Sequence, residues 1–159
     1  MTTKNERMQR VIKLYREKTG NTSIEMREVA KFAAGLGWEL PKPRSALDRL
    51  AEQFSSAARE EVRRDQITGR PYRANMAVTN WVGGEQSTFW TDIDEAPRPI
   101  AHKALKQRRE QMIGDALHLS YDVEHWNRIN PSEKPIQMPL DFTDDVAERM
   151  MTDQEDKAA

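Results

Sequence analysis

The chain has 159 residues, 37% of them hydrophobic and 32% charged, and no cysteine. At about 100 to 200 residues per domain, this is one domain with appendages, large enough to fold without disulfide or metal staples. The missing cysteines exclude disulfide scaffolds, thiol nucleophiles and Cys-ligated zinc, and three scattered histidines leave little for a His-rich site. No segment reaches the about 18 apolar residues of a membrane helix, and the polar start has no signal-peptide core, so the expectation is a cytoplasmic protein with no membrane partner. The net charge of -1 conceals a division: residues 1–73 carry 16 Lys+Arg against 10 Asp+Glu, and residues 74–159 carry 9 against 16. A basic front and an acidic back fit a nucleic-acid binder with a partner-facing tail, and equally two parts that attract each other within one fold.

Met8, Val11, Ile12 and Tyr15 fall at helical spacing within Asn5 to Lys18, with Gly20 and Asn21 stopping the pattern. Met26, Val29, Phe32, Ala33 and Leu36 give a second, shorter helix that Gly35 and Gly37 break. Pro41 and Pro43 force a turn carrying Lys42 and Arg44. Ser45, with Asp48 three residues on, caps a third helix whose stripe of Leu47, Leu50, Ala51, Phe54, Ala58 and Val62 predicts a core face running to about Arg64. Asp65 to Gly69 then turns the chain. Tyr72 to Val82 and Gln86 to Ile93 read as two strands joined at Gly83-Gly84.

Beyond the Pro97 and Pro99 connector, a long helix runs to about Asn130, where Pro131 ends it. Its residues Met112, Ala116, Leu119, Val123 and Trp126 form a heptad-like seam that packs on the body or pairs two copies as a homodimer. Residues 131–159 read as an extended acidic tail. The expected organisation is therefore an α+β domain over 1–96, a long helix over 97–130 and that tail.

The order of three helices and a hairpin resembles the winged helix-turn-helix superfamily over residues 5–93. The resemblance implies a third helix that enters the major groove of duplex DNA and a wing that touches the backbone. Its candidate nucleic-acid contacts are Lys42, Arg44, Ser45, Arg49, Gln53 and Ser56 on and before the third helix, with Arg70, Arg73 and Asn75 at the wing base. Arg and Gln make bidentate contacts with guanine and adenine edges, and Lys and Ser suit phosphates. Glu52 and Glu60 near the same face oppose phosphate, and the tip Val82-Gly83-Gly84-Glu85 has no cation.

Gln137-Met138-Pro139-Leu140-Asp141-Phe142 is similar to the Q-x-x-L-x-F peptide that binds bacterial sliding clamps, which implies Gln137, Leu140 and Phe142 as partner contacts. The alternation of Ile136, Met138, Leu140 and Phe142 equally fits a strand lying on the domain. Asp115, His118, Asp122 and His125 share one flank of the long helix, a metal-ligating composition that lacks a second donor helix. Asp92, Asp94 and Glu95 lack the accompanying Lys of a metal-dependent nuclease and more simply end the hairpin. Tyr72, Trp81, Phe89 and Trp90 suit either stacking on bases or a core. With no nucleotide-binding or nucleophile motif, no catalytic residue, metal or cofactor is expected. Gly69 to Asn75 and Phe89 to Pro97 also resemble segments of small uncharacterised bacterial and prophage proteins. The expected function is that of a non-enzymatic DNA-binding or regulatory protein of phage or mobile-element type, with a protein-interaction adaptor that acts through the long helix and tail without binding DNA as the alternative.

Overall fold

The computed structural model describes residues 1–158, with side chains as far as Asp156. The order is α1 (Lys4–Thr19), α2 (Met26–Gly35), α3 (Ala46–Glu60), β1 (Val62–Arg64), β2 (Pro71–Arg73), β3 (Asn75–Val82), β4 (Glu85–Asp92), α4 (Arg98–Ile129) and α5 (Thr143–Ala158), an α+β composition. Among the described residues, no helix is long and apolar enough to cross a membrane. The chain divides into two compact units, Met1–Glu52 and Gln53–Ala159. The hairpin cannot be parted from the long helix because Met76 and Val78 of β3 are buried with Ala104 of α4.

In the first unit, Thr3 and Glu6 exchange capping-box hydrogen bonds that satisfy the free amides starting α1, and Gly20 closes that helix at φ 71°. Tyr15 meets the Phe32 ring edge-on at 5.4 Å, and Lys18 lies 5.4 Å from the same ring. Val29, on the same helix as Phe32, is buried. The Ser45 hydroxyl accepts from the Asp48 N–H, as its position before α3 predicts.

In the second unit, β3 and β4 pair antiparallel, with Val78 opposite Phe89 and Val82 opposite Glu85. Gly83 and Gly84 at the tip have φ of 59° and 81°, the left-handed pair that a two-residue hairpin requires. Met76 and Val78 face Ala104, with Ile93, Ala96 and Ala101 around them. The Gln107 side chain completes the junction: its Oε1 accepts from the Thr79 N–H at 3.0 Å and its Nε2 donates to the Thr79 carbonyl at 2.9 Å.

The structure corrects four expectations. First, α3 ends at Glu60, and Val62–Arg64 instead forms β1, paired with β2 across a turn in which Asp65 Oδ1 accepts from the amides of Ile67 and Thr68. Second, the strand expected from Tyr72 onward is broken at Ala74. That residue, 0% exposed, donates its N–H to the Glu61 carbonyl and accepts from the Ile93 N–H, so the chain changes partner there. Third, the stripe of α3 is not core, since Leu47, Leu50, Phe54 and Val62 are exposed. Fourth, residues 143–158 are helical rather than extended: Asp141 accepts from the Thr143 N–H, and Asp144 and Asp145 lie in the first turn, where carboxylates favour a helix. The stretch before it is held where Asn127 bonds both backbone groups of Ile136 at 2.9 Å.

Candidate nucleic-acid interface

The short β1–β2 hairpin is fastened to the end of β4 by one guanidinium. Arg63 donates to both carboxylate oxygens of Asp92 at 2.8 Å, to Asp94 at 2.8 Å and to Glu61 at 3.3 Å. The Tyr72 hydroxyl donates to Asp94 at 3.0 Å, and the Asn75 amide donates to Glu61 and to the Ala58 carbonyl. The acids at the end of the second long strand are thus filled by an arginine, and no group of metal-holding side chains occurs among the described residues.

These contacts shift two groups in opposite directions. The hydrogen bonds from Arg63 and the Asp94 N–H hold the Asp92 carboxyl below the ordinary carboxylate range. The hydrogen bond to Asp94 pushes the Tyr72 phenol above its usual value. A depressed carboxyl contributes stability above its unfolded pKa that is lost as pH falls through the folded value, and a raised phenol contributes stability below its unfolded pKa that is lost as pH rises. Melting temperature should therefore plateau between about pH 5 and pH 9 and fall on both sides. In thermal melts, Arg63→Gln should flatten the acid limb, and an unchanged acid limb would remove Arg63 from that role.

This hub borders a groove of about 900 Å³ in the second unit. The sheet contributes Ala77, Thr79, Thr88 and Trp90 to its lining, and α4 contributes Leu105, Arg108, Gln111 and Met112. Arg59 at the end of α3 and Arg73 of β2 line it too. The Arg59 guanidinium sits 5.5 Å from the centre of the Trp90 ring, which orients it without neutralising it. Arg59, Arg73 and Arg108 have no ion-pair partner among the described residues, and Asp115 is the single carboxylate in the lining. Three guanidinium groups share this lining with Met76, Ile93 and Ala104, a composition whose positive charge complements phosphate.

The residues expected to contact nucleic acid are divided between the two units. Lys42, Arg44, Ser45 and Arg49 belong to the first unit, and Gln53, Ser56, Arg70, Arg73 and Asn75 to the second. Of these, Arg73 and Asn75 line the groove. Arg44 is paired with Glu52, the Ser45 hydroxyl serves as a cap, and the Asn75 amide is spent on Glu61 and Ala58. Lys42, Arg49, Gln53 and Ser56 are exposed or nearly so, and Arg70 lies in the turn before β2. Arg59, Arg108 and Gln111 were not among the expected contacts. The signal for Arg108 is the basic run Lys103, Lys106, Arg108 and Arg109 inside the acidic half of the chain; Arg59 and Gln111 have no comparable one.

Trp81 and Phe89 stand out from the hairpin, while Trp90 is half-buried under Arg59. Gln137, Leu140 and Phe142 are exposed on a segment that forms no strand. No protein-family model, curated protein or solved structure matches this chain.

Proposed function

We propose that the chain is a non-enzymatic nucleic-acid-binding protein, and that the groove of the second unit takes the phosphate backbone. The observation that carries this reading is the convergence of Arg59, Arg73 and Arg108, without ion-pair partners among the described residues, on one cleft that also presents Trp90. A solvated basic face would scatter its cations; here three elements distant in sequence deliver them to one place. The winged-helix reading of the body, with duplex DNA as its ligand, draws support from the element order and the capped α3. Against it, Arg44 is paired with Glu52 and the apolar face of α3 is exposed. The test is fluorescence anisotropy of the full chain with labelled duplex and single-stranded oligonucleotides over a salt series. Binding that weakens steeply with salt is expected, and no binding at about 50 mM salt would retire the reading.

The adaptor reading is favoured by a separate observation. Leu140 and Phe142 are 43% and 46% exposed between the Asn127 bracket and α5, so the Q-x-x-L-x-F residues are accessible rather than laid into a sheet. In the full chain, Leu140→Ala with Phe142→Ala should leave the melting temperature nearly unchanged while abolishing binding to a bacterial sliding clamp. A wild-type chain that shows no binding at about 100 μM clamp excludes the docking role.

A further inference from the structure

Beyond the hairpin, α4 carries an apolar line that no described residue fully covers. Met112, Leu119 and Trp126 recur every seven residues, so they lie in a row along the helix. They are 57%, 41% and 38% exposed, with Ala116 and Val123 between them. Leu140 and Phe142, beyond the end of α4, are exposed as well.

We propose that this row is the contact between two copies of the chain, packed antiparallel about a twofold axis near Leu119. The argument for a second copy is a charge pattern that complements itself. Asp115, His118, Asp122 and His125 flank the row at steps of three, four and three. An axis beside Ser120 brings Asp115 of one copy opposite His125 of the other, and His118 opposite Asp122. It also sets Met112 near Trp126 and Ala116 near Val123, so that large side chains meet at the ends and smaller ones near the axis. A parallel pair would instead carry the two copies of this flank to opposite sides of the contact, where the Asp and His side chains could not meet, and would align the two helix dipoles. Neither aspartate has an ion-pair partner among the described residues, so both are available to the second chain. Met112 and Asp115 also line the far end of the groove, whereas Leu119 lies outside it, which keeps this proposal separable from nucleic-acid binding.

The test is light scattering and sedimentation of the full chain from about 5 to about 500 μM, which spans micromolar association. A monomer–dimer equilibrium is expected. Leu119→Glu, at an exposed position where circular dichroism should show unchanged helicity, should weaken it at least about tenfold. Because the chain has no cysteine, Leu119→Cys should give a disulfide-linked dimer under mild oxidation, and Tyr121→Cys, on the opposite side of the helix, should not. Asp122→His alone should weaken the dimer by facing two imidazoles, and adding His118→Asp should restore it. A monomer throughout the range, a dimer indifferent to Leu119→Glu, or no cross-link from Leu119→Cys overturns the proposal.

Discussion

Met76→Ala should cost about 2–5 kcal/mol and bring the second unit to the edge of unfolding, since a domain's whole stability is about 5–15 kcal/mol. The effect is large because the apolar core of this unit is small: Met76 and Val78 against Ala104, with Ile93, Ala96 and Ala101 around them. With so few neighbours to close the gap, most of the vacated volume stays as a cavity. Phe89→Ala is the control. Phe89 pairs directly with Val78 across the hairpin but is 61% exposed, so its removal should shift a denaturation midpoint far less. Chemical denaturation followed by tryptophan fluorescence and circular dichroism reads both. Equal shifts would mean that the hairpin is not held by its packing on α4.

Replacing Arg59, Arg73 and Arg108 together with Gln should reduce the slope of log affinity against log salt by about 2 to 3, because each phosphate that a cation neutralises adds about 0.7 to 0.9 to that slope. Their approach to the groove from α3, β2 and α4 makes the effect cumulative, while the hub of Arg63, Asp92 and Asp94 stays intact. The companion variant, Arg44→Ala with Arg49→Ala, separates the groove from the third-helix reading. If the companion flattens the slope and the triple variant does not, nucleic acid is bound by α3 and the groove assignment fails. A Trp90→Ala change should weaken single-stranded ligands more than duplex, because a stacked base contributes about 1–3 kcal/mol and a paired base cannot reach the ring.

The sequence made some elements legible and hid others for identifiable reasons. The helices announced themselves through Gly20, Ser45, Pro97 and Pro131, whose backbone chemistry punctuates the chain whatever packs around it. The β3–β4 hairpin was readable from Gly83-Gly84 between β-branched and aromatic runs. Strands β1 and β2 were not, because three residues carry no period and Val62 extends the helical stripe of α3 by one more step. Residues 143–158 were misread because their aspartates look like solvating charge, whereas at the start of a helix they stabilise it. The stripes of α3 and α4 registered a capacity for burial without naming what buries them, and the core was overestimated accordingly. The groove was half visible: Arg73 stood out beside the hairpin, but nothing local in the sequence predicts that Arg59 and Arg108 arrive next to it.

Gln107 gives the edge of β3 a peptide-like neighbour. Its side-chain amide offers one acceptor and one donor to Thr79 in the pattern a third strand would use, so α4 stands in for that strand at a single rung. Apolar packing among Met76, Val78 and Ala104 tolerates sliding, whereas a two-point amide clasp does not. Sliding α4 by one residue would remove both hydrogen bonds at once and turn the Arg108 side chain by about 100° around the helix, out of the groove. The clasp thus acts as a detent, fixing the rotational phase of a long lever on a small pivot, and the position of a groove cation is set by the uncharged glutamine that precedes it in the chain.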